Sequence, residues 1–184
     1  GVRFRETSGG LGGNVTDIMV LMEAFGKSLV LESYIIQVLL SGKILEEFIS
    51  NELAKRHLSD LILGKKRYTF AFAETNYGFD LNVKGTLVKH KKEKYFITGK
   101  KNFVIGLDNT DFIIFPALDQ QNDSILLFCI PKNLEGLDLN LYSSLDDIKA
   151  GDIVLDNLAL HKDMILGRYK INDYKNSIEY IIDY

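Results

Sequence analysis

Tryptophan is absent from the 184 residues, cysteine occurs once, proline twice, and lysine plus arginine (22) are outnumbered by aspartate plus glutamate (25). Each shortage excludes something. The single thiol, Cys129, cannot build a disulfide framework, which accords with a reducing compartment. It lies in the apolar run Ser124-Ile-Leu-Leu-Phe-Cys-Ile-Pro131 with no histidine nearby in sequence, the setting of a buried strand thiol rather than a nucleophile. A formal net charge of −3, with no basic stripe to override it, gives no electrostatic case for nucleic acid. The longest apolar run, Tyr34 to Leu40 interrupted by Gln37, is far too short to span a bilayer. Nothing at the start has the layout of a signal peptide. These absences predict a cytoplasmic protein that engages neither nucleic acid nor a membrane. No second metal ligand stands four residues after His57, so no metal site is predicted.

What is present is an ordinary globular composition, 46% apolar and 26% charged, enough for one good core or two small layers sharing an interface. After a glycine-rich loop (Gly9, Gly10, Gly12, Gly13) without P-loop spacing, the period is helical. Val15, Ile18, Met19, Met22, Phe25 and Leu29 form one stripe, with Asn14 or Thr16 as its cap. Tyr34, Ile35, Val38 and Leu39, then Ile44, Leu45 and Phe48, form a second stripe, with Ser41-Gly42 as a break. Ser50 or Asn51 caps a third helix carrying Leu53, Ala54, His57, Leu58, Leu61 and Ile62, where His57 is a packed or half-exposed residue. From Tyr68 the period becomes two. Strands are predicted over 68–73, 83–90, 94–98, 101–105, 111–117, 124–130, 137–142 and 151–156, and residues 170–184 return to helix. The fold class is therefore α+β. An N-terminal α-helical part (1–67) is followed by an antiparallel β-barrel or sandwich (68–168) and the start of a C-terminal helical bundle (169–184). The amphipathic pattern is cut at both ends, so the chain is expected to be a piece of a longer protein.

The period changes at Tyr68-Thr-Phe-Ala-Phe-Ala-Glu74-Thr-Asn-Tyr-Gly78-Phe-Asp80, a strand that breaks into a tight loop between two domains, where a ligand is expected. This stretch resembles the flavin-binding loop of the acyl-CoA dehydrogenases, aromatic-x-x-Thr-Glu-Pro-x-x-Gly-Ser-Asp. Phe70, Glu74, Gly78 and Asp80 match it, while Ala73, Thr75 and Phe79 depart from it. Tyr95-Phe-Ile-Thr-Gly99-Lys-Lys101-Asn-Phe103-Val-Ile105 is similar to the family's Tyr-x-Ile-Asn-Gly-x-Lys-x-Trp-Ile-Thr, and Val154-Leu-Asp-Asn-Leu to Met164-Ile-Leu-Gly167 to the segment closing its β-domain. Met22-Glu-Ala-Phe-Gly26-Lys-Ser-Leu resembles the helix before its substrate cavity, and the wording resembles most the small-subunit type known as pimeloyl-CoA dehydrogenase.

The resemblance implies an FAD-dependent enzyme that desaturates an acyl-CoA thioester between its α and β carbons, passing hydride to flavin N5. It implies cofactor contacts at Phe70, Phe72, Ala73, Gly78, Phe79, Phe103, Val104 and Ile105, with Phe79 also toward substrate. Backbone groups of Phe72 and Ala73 would meet the isoalloxazine edge, and Phe103 would stack where the family has tryptophan. The threonine hydroxyls usual at 73 and 105 are replaced by Ala73 and Ile105, each a lost hydrogen bond of about 0.5–1.5 kcal/mol. No catalytic residue is assigned, since the family's glutamate base lies beyond Tyr184, and Glu74 is a structural carboxylate bonding nearby backbone N–H groups. The chain alone is thus expected to be inactive. Implied partners are acyl-CoA, an electron-transfer flavoprotein or similar acceptor, and other subunits in a homo- or hetero-oligomer. The rival expectation is a flavin-free structural partner of an active subunit, and a third is a general acyl-CoA or lipid-binding module.

Overall fold

The computed structural model describes residues 1–78 and 80–183. Helix α1 (Val15–Lys27) starts at a capping box: the Asn14 side chain accepts from the Thr16 and Asp17 N–H groups while Asp17 reaches back to the Asn14 N–H. A π-helical segment (Ile35–Leu40) runs directly into α2 (Ser41–Glu47). The break predicted at Ser41-Gly42 does not occur. Gly42 is present because a Cβ there would meet the Phe4 ring at 2.2 Å, so the glycine serves a close approach rather than a turn. Helix α3 (Glu52–Ile62) is capped by Asn51 and buries Ala54, His57, Leu58 and Leu61, the expected stripe.

Among the described residues, eight strands form one sheet: β1 (Tyr68–Phe70), β2 (Leu87–Lys91), β3 (Lys94–Lys101), β4 (Phe112–Asp119), β5 (Ser124–Pro131), β6 (Leu137–Ser143), β7 (Lys149–His161) and β8 (Ile165–Lys170). Their order is β6-β7-β3-β2-β4-β5-β8, with β1 paired to β4. The α+β class stands, with one change of detail. The sheet is mixed, because β4 runs parallel to both β1 and β2 while the remaining pairs are antiparallel. Strands were expected over 94–98 and 101–105, parted at Gly99. Instead β3 passes through Gly99 with a register shift, since a Cβ there would sit 2.6 Å from the Thr86 Cα, and residues 102–106 leave the sheet as a loop. The strand expected over 83–90 contracts to β2, and β8 forms where only a closing segment was expected.

Two cores lie on opposite faces of β4 and β5. Ile114, Ile125, Leu127 and Cys129 face the helices, packing with Phe4, Leu45, Leu58, Phe70 and Tyr174. Their alternates Ile113, Phe115, Leu126, Phe128 and Ile130 join Ile97, Ile153, Leu155 and Leu158 in a second core on the other face. A strand covered on both faces needs apolar residues at both parities, which explains the unbroken run 125–130. Burial pushes the Cys129 thiol pKa up, as expected of an inert strand thiol. Helix α4 (Ile171–Asp183) packs Tyr174, Ile178 and Ile181 onto the helical core. Among the described residues no helix is long and apolar enough to cross a membrane.

Candidate functional site

Past Phe70 the chain leaves the sheet, and Glu74 turns inward. Its carboxylate, 2% exposed, accepts from the backbone N–H groups of Lys84 (2.9 Å), Gly85 (2.6 Å) and Thr86 (3.0 Å) and from Lys101 Nζ (2.8 Å). Lys101, at the end of β3, is fully buried. Desolvation pushes the Glu74 carboxyl up, but the Lys101 ammonium and the backbone donors more than offset it, leaving its pKa below the ordinary value. Desolvation lowers the Lys101 ammonium to about 8, with Glu74 opposing the fall. Both groups are therefore charged at neutral pH, and one carboxylate ties together the loop after β1, the segment 84–86 and the end of β3. The structural role expected of Glu74 is what these contacts show.

The second loop, residues 102–106, lies against the first. The Asn102 N–H donates to the Ala73 carbonyl (2.9 Å), and Thr75 Oγ1 donates to Asn102 Oδ1 (3.3 Å). Thr69 Oγ1 donates to the Ile105 carbonyl (2.7 Å). From the helical side Gln37 Nε2, in the π-helical segment, donates to the Gly106 carbonyl (3.1 Å) and to Asn109 Oδ1 (2.8 Å). A π-helical turn shifts side chains off the regular α-helical phase, and such turns concentrate at functional sites. Here it accompanies a buried amide that links the helical layer to the loop.

The anticipated cofactor residues separate into two groups. Phe70 is buried in the helical core, its ring stacked 5.7 Å from Phe72, and Val104 is buried in the β-domain core, so their side chains are committed to packing. Phe72, Phe103 and Ile105 are half-buried, Ala73 is buried, and Gly78 is exposed with φ +56° beside Asn76 at φ +68°. The loops bring 72–73 and 102–105 together through the Asn102–Ala73 hydrogen bond. Phe79, expected to touch both flavin and substrate, lies outside the described residues. Beside Phe72 is an apolar cavity of about 310 Å³ whose walls include Ile36, Leu39, Leu40 and Ile181, with Arg3 and Lys43 also on its lining. The site presents Phe72 and Phe103, side chains of a type on which a flat aromatic ring can pack, while the Phe103 N–H and the Ala73 and Ile105 carbonyls already have protein partners. It offers no side-chain hydroxyl at 73 or 105. No group of three or more metal-ligating side chains occurs among the described residues.

Sequence reasoning missed Lys101, Gln37 and Asp152. Two of them left a trace: Gln37 is the one non-aromatic polar residue in the run 34–40, and Lys101 stands at the lysine of the Gly-x-Lys stretch that carries the resemblance. Asp152 left none.

No protein-family model matches the chain. Among curated proteins it is 27% identical over 124 residues to the 3-(aryl)acrylate reductase of Clostridium sporogenes, covering 64% of this chain and 33% of that protein. It is 24% identical over 177 residues to the short-chain-specific acyl-CoA dehydrogenase of Clostridium acetobutylicum, covering 91% of this chain and 46% of that one. The chain thus spans a third to a half of the length of these relatives. Butyryl-CoA dehydrogenase from Megasphaera elsdenii superposes with a TM-score of 0.81 at 20% identity, over 99% of this chain and 50% of that one. The ChsE4–ChsE5 complex from Mycobacterium tuberculosis superposes at 0.78 and 18% identity (94% and 46%). A glutaryl-CoA dehydrogenase from Mycobacterium smegmatis in complex with FADH2 superposes at 0.64 and 20% identity (74% and 36%). The fold is therefore that of these dehydrogenases over nearly the whole chain, and the acyl-CoA dehydrogenase family is the one that relatives and structural neighbours together support.

Proposed function

We propose that the chain forms the flavin platform and part of the acyl-chain wall of an FAD-dependent acyl-CoA dehydrogenase, acting between the α and β carbons of an acyl thioester. The observation that carries this reading is the Glu74–Lys101 junction, which fixes both flavin-type loops beside an apolar cavity that shares Phe72 with them. Phe72, Ala73, Phe103 and Ile105 would hold the ring, the first two through backbone groups and Phe103 by stacking. When bound, FAD supplies the hydride acceptor. The protein's own part is to orient the ring, exclude water through the apolar wall, and keep Glu74 out of the chemistry. With four donors on its oxygens, Glu74 has no capacity to take a substrate proton. An acyl-CoA substrate, an electron-transfer flavoprotein as acceptor and assembly with further subunits belong to the same reading. The Glu23-Ala-Phe-Gly26 wording supports the pimeloyl-CoA dehydrogenase small-subunit type.

A second reading, a flavin-free structural partner of an active subunit, is favoured by the apolar side chains at 73 and 105. The likeness to the ChsE4–ChsE5 complex is compatible with it. Titration of FAD into the purified chain, followed by flavin fluorescence, separates the two. Under the first reading FAD binds, and Ile105→Thr tightens it by about 1 kcal/mol through the restored hydroxyl. Absence of binding to both proteins supports the second.

A further inference from the structure

Phe103 has φ +49°, a left-handed backbone conformation that a bulky aromatic residue adopts only where its surroundings impose it. The imposing contacts come from β7. The Phe103 N–H donates to Asp152 Oδ1 (3.1 Å), and the next residue, Val104, exchanges both of its backbone hydrogen bonds with Gly151 (2.8 and 3.1 Å). Two successive residues of the loop are thus fastened to two successive residues of the strand. Asp152 is itself held from two directions. Tyr142 OH, from β6, donates to the same Oδ1 (2.9 Å), and Lys100 Nζ, from β3, lies 3.1 Å from Oδ2. Lys100 and Tyr142 are partly exposed, so this polar network lies toward the surface and adds little to core packing. Besides tying β3 and β6 to β7, it fixes the conformation of Phe103.

We propose that Asp152 is the positioning residue of the flavin platform: its carboxylate locks the Phe103 backbone in the left-handed conformation that presents the ring to the cofactor. This rests on the reading of the site as a flavin platform. Without the carboxylate, the left-handed conformation, which phenylalanine does not favour by itself, is held only through the bonds of its neighbours Asn102 and Val104, and Phe103 shifts toward more extended conformations. The ring then leaves its place while the fold, anchored by the two apolar cores, persists.

The test uses the ¹⁵N-labelled full chain and four proteins: the unaltered chain, Asp152→Ala, Asp152→Asn and Tyr142→Phe. Amide exchange at Phe103, the FAD dissociation constant, the visible flavin band and the thermal midpoint are measured for each. Loss of a hydrogen bond to a charged acceptor in Asp152→Ala is expected to speed Phe103 exchange and to weaken FAD by about tenfold each, with an altered flavin band and little change in the thermal midpoint. Asp152→Asn keeps an acceptor oxygen and is expected to restore most of both. Tyr142→Phe keeps the Asp152 acceptor and removes only the hydroxyl that also approaches the Phe103 N–H, and is expected to change either by clearly less than Asp152→Ala does. If Asp152→Ala does not fold, Asp152→Ser, too short to reach the Phe103 N–H, takes its place. FAD bound equally by the unaltered chain and the alanine or serine variant, with an unchanged band, overturns the inference alone. FAD that fails to bind the unaltered chain overturns the reading of the site, and the inference with it.

Discussion

At the scale of single residues, the Glu74–Lys101 pair and His57 show how burial decides what a charged or titratable group can do. A buried ion pair adds little over a well-packed apolar pair, but losing one partner leaves an uncompensated charge in low dielectric. Lys101→Met should therefore destabilise the protein by about 3 kcal/mol or more in urea melts. The double variant Lys101→Met with Glu74→Gln should recover part of that, because it removes the uncompensated charge and the amide oxygen can still accept from the Lys84 and Gly85 N–H groups, leaving the Thr86 N–H without its acceptor. Equal stability of the two variants would show that Glu74 tolerates isolation. His57 is buried, its Nδ1 2.8 Å from the Tyr68 hydroxyl and its ring 4.6 Å from that of Phe112. Desolvation, helped by Arg56, lowers its pKa from 6.5 to about 4. The folded state thus holds the neutral ring where the unfolded chain would take up a proton. The stability this provides is complete above pH 6.5 and is lost as the pH falls toward about 4. His57→Phe is expected to flatten that part of the pH–stability curve, as read from thermal midpoints at pH 7 and 4.5.

At the scale of elements, packing overrides local preference in the helix through Gly42. Alanine is the better helix former by about 1 kcal/mol, so Gly42→Ala would stabilise an isolated helix. In this protein the added methyl would collide with the Phe4 ring. The expected outcome is a net loss of about 1–3 kcal/mol, measured by denaturant unfolding. Gly42→Ala combined with Phe4→Leu should regain part of it, since the smaller side chain can retreat. The cap of α3 shows a related economy. Asn51 Oδ1 accepts from the Leu53 N–H, while its amide donates to the Ile165 and Leu166 carbonyls, so one side chain starts a helix and docks the β8 region onto it.

For the molecule as a whole, the informative feature is an apolar surface without a cover. Helix α1 buries no residue, and Val15, Met19 and Val20 are 50%, 65% and 61% exposed. Leu29 and Leu31 beyond it are 85% and 60% exposed. Exposed apolar side chains grouped in this way are expected to form a contact surface. The chain is expected to self-associate in a concentration-dependent way in sedimentation velocity, and Met19→Glu with Val20→Glu should reduce that association without lowering the thermal midpoint. A monodisperse monomer at every concentration would mean that the stripe is tolerated in water.

The helix stripes, the change of period at Tyr68, the two cap positions to within a pair of residues each and the buried Cys129 were legible in the residues themselves, because each depends on spacing within one element. So was Glu74 as a structural carboxylate, from its place in a tight loop. Sequence pattern could not show that Gly42 and Gly99 mark close approaches rather than breaks, since the atoms they make room for, Phe4 and Thr86, lie far away along the chain. Nor could it show the parallel pairing of β4 with β1 and β2, which is set by how distant strands meet rather than by any local period. The convergence of Lys101 on Glu74, of Gln37 on Gly106 and of Asp152 on Phe103 was decided only by the tertiary structure. Each is a polar contact between separate segments, and hydrogen bonding away from bulk water rewards partners brought together by packing, whatever their separation in sequence.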